Sequence, residues 1–164
     1  MIINADDEAK ALMARDRQVL DDLRGAFGGA VIGEDGALRF DVLGQLAFRS
    51  AESLLMLNGV THPPVIKHIE RLVVDCVKPL CILDAALIPL WASAESLLDY
   101  CIWVDVPFDV RLERLMAKRA DIDEGELVRR MRLQEEVMPV PVLGRWVKLS
   151  DSDCRGYISN VLKK

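Results

Sequence analysis

Carboxylates recur just after short apolar runs: Asp6 after IIN, Asp84 at the end of LCILD, Asp105 in WVDVP and Asp151 after RWVKLS. A carboxylate so placed can accept a proton from a substrate hydroxyl or hold a metal-bound water. Asp6 serves equally as a plain helix N-cap. Asp84, after four apolar residues, is the loose form of the acid that holds magnesium in phosphate-transfer folds, and strands also end in Asp without any ligand. Asp105 reads first as a strand-end turn residue. The basic residues gather later: Arg111, Arg114 and Lys118 at i, i+3 and i+7, then Arg119, then Arg129, Arg130 and Arg132. Two basic helices around a short loop make a lid over phosphates, because the planar guanidinium fork pairs two oxygens at once. The other reading is a solvated face balanced by Glu113, Asp121, Asp123 and Glu124. His62, ahead of two prolines, fits a structural loop-to-helix position. Gln134, four residues after Arg130, shares its helical face.

The elements that carry these residues follow from periodicity. Residues 2–4 end a strand that runs into a helix capped by Asp6, with Leu12 and Met13 on its buried side. Asp16 starts a second helix through Val19, Leu20, Leu23 and Phe27, and Gly28-Gly29 ends it. A turn-rich link, IGEDGAL, follows. Asp41 caps a helix with Leu43, Leu46 and Ala47, and Ser50 caps another that stops at Asn58-Gly59. THPP then opens a longer helix with Val65, Ile66, Ile69, Leu72, Val73 and Cys76 facing the core. PLCILDAAL and YCIWVDVP read as parallel strands buried on both faces, with a helical turn or two over Ser93–Leu98 between them. Pro107 opens a helix with Val110, Leu112 and Leu115 inside, and an Arg-rich helix spans about Asp123 to Met138. RWVKLSD is the last strand, and Tyr157, Ile158, Val161 and Leu162 mark a closing helix. Strands alternating with helices define an α/β domain with a parallel sheet, whose ligands bind beyond the carboxyl ends of the strands.

The chain has 164 residues, a formal charge of -5, 51% hydrophobic and 29% charged residues. That is enough for one domain with a real core. The charge fits no general nucleic-acid binder. Cys76, Cys81, Cys101 and Cys154 form no CxxC pair and read as small core residues in a reducing cytoplasm. The start has neither the basic nor the apolar segment of a signal peptide, and no apolar run reaches ~18 residues.

The order IINADDEAKAL, His62-Pro63 at a helix head, CILDAALI, IWVDVPFDVRLERLMAKR and RMRLQ resembles the dephospho-CoA kinase family, over nearly the whole chain. The resemblance implies a three-layer, P-loop-kinase-like α/β fold with a helical lid. It implies a single domain over 1–164, with a helical acceptor-binding region at about 28–78 and a lid at about 107–138. It also implies ATP and Mg2+ acting on dephospho-CoA, in the cytoplasm, with neither nucleic acid nor membrane as partner; it does not fix the oligomeric state. The family's DAD becomes Asn4-Ala5-Asp6, which makes Asp6 the base for the ribose 3′-hydroxyl and leaves Asn4 a substrate contact. Asp84 holds Mg2+ through water; Ala86 and Leu90 replace the family's proline and glutamate nearby. The lid residue falls on Lys118 or Arg119. His62, Arg130 and Gln134 fall at acceptor-binding positions.

That family opens with a strand, central in its sheet, and a glycine-rich phosphate loop ahead of the DAD strand, whereas here the strand that matches DAD itself begins at Met1. No GxxxxGK[ST] occurs in the chain; Gly28-Gly29 and Gly33–Gly36 lead to no Lys-Ser or Lys-Thr. The expectation is that ATP binding is lost from the 164 residues and that strand edges are left unpaired. Two accounts are open: a kinase whose N-terminus lies upstream of Met1, or a non-catalytic relative that binds a CoA-like nucleotide or a protein partner. A bland α/β scaffold is the third.

Overall fold

The computed structural model describes residues 1–86, 88–91, 96–138, 146–150, 152–154 and 157. The strand β1 (Ile2–Asn4) leads directly into α1 (Ala5–Arg15), and α2 (Arg17–Phe27) follows. Asn4, rather than Asp6, is the N-cap of α1: its Oδ1 accepts from the N–H groups of Asp6 and Asp7, at 3.0 and 3.1 Å. The strand ends at Asn4 as expected, but the helix begins at once with Ala5, so the cap falls on the last strand residue and the acids fill the first helical turn. Asp16 caps α2 as expected, through Gln18 and Val19, and Gly28 ends it at φ 88°, a conformation that favours glycine. After a 3-10 turn over Gly29–Val31, a small turn closes Ile32 against Leu38. The helix α3 (Phe40–Ala47) starts before Asp41, which lies in its first turn and makes no cap hydrogen bond.

A single 24-residue helix, α4 (Ala51–Val74), replaces the two helices expected on either side of Asn58-Gly59. Its buried residues Leu54, Thr61, Val65 and Ile69 form one stripe that runs past Asn58-Gly59 and both prolines, with Gly59 and Pro63 on the exposed side. Packing of that stripe overrides the local stop signals. Pro63 and Pro64 lie inside the helix, so the carbonyls of Gly59 and Val60 have no i+4 donor. One turn earlier the hydroxyl of Thr61 donates to the Leu57 carbonyl at 2.9 Å. His62 therefore sits within the helix, not at its head.

The helix joins two cores. Val19, Leu23, Val31, Leu38 and Leu43 pack against its first half through Leu57 and Val60. Val65 and Ile69 in its second half pack with Ala5, Ile88, Trp91, Cys101 and Trp146. Glu8 and His68 add a contact of 2.8 Å between α1 and α4.

The strands are parallel, as expected, but form two pairs rather than one sheet. β1 pairs with β2 (Ile82–Asp84), setting Asn4 opposite Asp84. β3 (Cys101–Asp105) pairs with β4 (Trp146–Ser150), setting Trp103 opposite Lys148 and Asp105 opposite Ser150. Among the described residues no strand joins β2 to β3. The two-sided burial expected of β2 and β3 is accordingly not met: Ile82 is 40% and Val104 45% exposed. Of the four cysteines only Cys101 is buried. A 3-10 turn over Ile88–Leu90 and the hairpin of α5 (Phe108–Lys118) and α6 (Glu124–Val137) complete the described elements, with Asp123 capping α6 through Glu126 N–H. Of the turn expected over Ser93–Leu98 only 96–98 are described. Arg145, Asp151 and most of the closing helix lie outside the described residues, although Tyr157 N–H donates to the Asp153 carbonyl at 3.1 Å. No described helix is long and apolar enough to cross a membrane.

Candidate active site

A cleft of about 1390 Å3 opens between β2 and β3 and reaches the carboxyl ends of the strands. Its charged and polar lining includes Asp6, Asp84, Asp105, Arg111, Gln134 and Lys148. Asp6 arrives from the first turn of α1, held there by the Asn4 cap. Asp84 is the last residue of β2, and Gln134 comes from the last turns of α6. Three of the residues singled out from sequence thus meet on one surface although they are 78 and 50 positions apart along the chain (84 − 6 and 134 − 84).

The remaining expected residues lie elsewhere. Asn4 stands opposite Asp84, but its carboxamide oxygen is committed to the cap. His62 is half-buried within α4 and does not line the cleft; burial lowers its imidazole pKa. Lys118 ends α5, exposed. Arg119 folds back on Asp121, with Nε 3.2 Å from Oδ1, and this contact lowers the Asp121 pKa. Arg130 donates to Glu126 Oε1 at 2.6 Å and lies over the Phe48 ring at 5.2 Å. Arg129 holds the other oxygen of Glu126 at 2.7 Å and also donates to the Phe48 carbonyl. The two guanidinium groups, Arg129 first, hold the Glu126 carboxyl at about 2. This cluster fastens α6 to the end of α3.

Sequence reasoning does not single out two groups of the cleft, Lys148 and Glu135, and it places Arg111, which also lines the cleft, among the cations of a lid. Lys148 Nζ lies 2.9 Å from Asp105 Oδ2. Arg111 donates through Nε to the Val106 carbonyl at 3.1 Å and through Nη2 to Glu135. At the other end of the cleft Cys81 is raised above its ordinary pKa, by burial first and then by contact with Cys76.

Among the described residues no three His, Cys, Asp or Glu side chains gather as a metal-ligand set. The cleft offers single carboxylates, which suits Mg2+: that ion keeps several waters and takes one or two carboxylates beside substrate phosphates.

The family model for dephospho-CoA kinase matches residues 1–138. A dephospho-CoA kinase of Carboxydothermus hydrogenoformans is 33% identical over 153 residues, covering 92% of this chain and 70% of that protein. One of Porphyromonas gingivalis is 34% identical over 136 residues, covering 82% and 65%. The chain thus spans about two thirds of the length of these relatives. In fold it is similar to TT1252 from Thermus thermophilus (TM-score 0.65, 24% identity, 99% of this chain and 83% of that one). It is also similar to dephospho-CoA kinase from Campylobacter jejuni (TM-score 0.54, 18% identity, with the same coverage of 99% and 83%).

Proposed function

The chain belongs to the dephospho-CoA kinase family, and we propose that its cleft binds dephospho-CoA and supports phosphoryl transfer from ATP to the ribose 3′-hydroxyl. The observation that carries this reading is the meeting of Asp6, Asp84 and Gln134, from three separate elements, at the carboxyl ends of parallel strands. Asp6 accepts the hydroxyl proton as the oxygen attacks the γ-phosphorus and ADP leaves. Gln134 orients the acceptor. Asp84 would hold Mg2+ through water, and the metal would neutralise phosphate charge. In this class the protein contributes chiefly position and charge.

The lid and acceptor contacts rest on the resemblance. Lys118 or Arg119 closes over the phosphates, which for Arg119 requires release from Asp121. Arg130 is pre-oriented by Glu126 and Phe48 as a second lid contact, and His62 positions the acceptor from α4. A cytoplasmic location accords with four free cysteines.

One observation favours a second reading, binding without transfer: the 164 residues contain no GxxxxGK[ST]. Two measurements on the same protein separate the readings. Titration calorimetry should detect dephospho-CoA binding to the 164-residue chain, and a coupled assay should detect no ATP consumption by it. A form carrying a GxxxxGK[ST] strand-loop-helix ahead of Met1 should consume ATP in the presence of dephospho-CoA. If that form binds dephospho-CoA yet turns over nothing, the kinase reading fails and the binding reading stands.

A further inference from the structure

Arg111 and Lys148 reach the cleft from α5 and β4, and each rests on a carboxylate supplied by the fold. Lys148 pairs with Asp105 and Arg111 with Glu135. The Arg111 guanidinium is fixed in place, since Nε is tied to the Val106 carbonyl and its plane lies over Phe108 at 5.5 Å. Arg132 lies over the same ring at 5.2 Å, so positive charge gathers where α5 and α6 meet. The two cations also act on one point. The Asp105 carboxyl is lowered from its ordinary pKa chiefly by the hydrogen bond from Lys148, with smaller help from Trp103 and from the charge of Arg111.

The partner carboxylates are weakly held. Asp105 is 53% and Glu135 46% exposed as side chains, and ion pairs at such exposure add little to stability. A phosphate oxygen carries comparable charge and offers more acceptor positions to a guanidinium fork.

We infer that Arg111 and Lys148 are phosphate-contacting residues of the cleft, and that the phosphate chain of a nucleotide displaces Glu135 and Asp105 from them. The inference rests on the proposed function for its ligand, dephospho-CoA, and on the geometry alone for its chemistry. It assigns Asp105 and Glu135 an opposing part, as internal competitors for the ligand's charge.

Titration calorimetry of the 164-residue chain with dephospho-CoA, ATP and inorganic diphosphate tests it. Arg111→Gln and Lys148→Met should each weaken dephospho-CoA binding by about tenfold, the scale of one charge-assisted contact. Asp105→Asn and Glu135→Gln should each tighten it by about threefold, a gain that a merely structural role would not give. Thermal melts of all four variants show which of them fold, and either cation variant alone suffices. Wild-type affinity in a folded Arg111→Gln or Lys148→Met overturns the assignment. So does weakened binding in Asp105→Asn and Glu135→Gln. Inorganic diphosphate or ATP bound with this variant pattern, and dephospho-CoA not bound, would keep the cation pair and overturn the dephospho-CoA reading. No binding of any of the three overturns the pair.

Discussion

Asp84 stands directly opposite Asn4 across the β1–β2 pair, and Asn4 in turn caps the helix that carries Asp6. One short strand pair therefore places both Asp6 and Asp84. Asn4→Ala should cost about 1 kcal/mol, the value of a lost N-cap. Asn4→Asp should cost much less, because a carboxylate accepts from the same two N–H groups. Denaturant unfolding of the two variants checks this; equal losses would show that the cap is not what Asn4 contributes.

Asp6 lines the cleft without a role in capping. In a form that consumes ATP, Asp6→Asn should lower the rate by about 10²–10⁴-fold, as expected for a general base. Its dissociation constant for dephospho-CoA should change little, since the amide keeps the shape. A rate within about tenfold of wild type would exclude Asp6 as the base.

Gly59 lies in the middle of α4, and a Cβ added there meets nothing within 4 Å. Gly59→Ala should therefore stabilise the protein by about 1 kcal/mol, the difference in helix propensity. Were the helix instead broken at Asn58-Gly59, the same change would be neutral or harmful. Chemical denaturation distinguishes the two.

Glu126 titrates at about 2, well under its ordinary 4.5, because Arg129 and Arg130 hold it ionised. A depressed carboxylate contributes stability that is fully present above about pH 4.5 and lost as pH falls through about 2. The melting midpoint of Glu126→Gln should thus lie below wild type near neutral pH, by a few degrees at most given the exposure of the cluster. The gap should close between about pH 4.5 and 2. A gap that stays constant over that window would mean that Glu126 acts through packing rather than charge.

Much of this arrangement is legible in the sequence. Apolar runs ending in acids give β2 and β3, Asp16, Ser50 and Asp123 cap where helices need them, and strand–helix alternation gives the parallel pairing. What is not legible depends on packing at a distance. Asn58-Gly59 and Pro63-Pro64 carry strong local stop signals, yet the stripe from Leu54 to Ile69 buries continuously and keeps the helix whole. Strand order cannot be read from apolar runs, so which strands pair was not legible in them; the unpaired edges of β2 and β3 among the described residues, with Ile82 and Val104 exposed, instead meet the expectation drawn from the absent first strand. In the site, the strand-end acids Asp6 and Asp84 stand out because their position along the chain is itself the signal. Lys148 and Glu135 do not, because a charged residue on a strand or helix surface matters only when the fold brings its partner alongside.

The long helix α4 carries a consequence for how the molecule comes apart. Val65 and Ile69 share one core with Ala5 beside the first strand pair and with Cys101 and Trp146 of the second. No described backbone hydrogen bond links β2 to β3, and among the described residues the two pairs share this side-chain core. Amide protons of β1–β2 and of β3–β4 should then exchange with solvent as two kinetic classes rather than one. Trimming the bridge with Ile69→Ala should widen the interval between them.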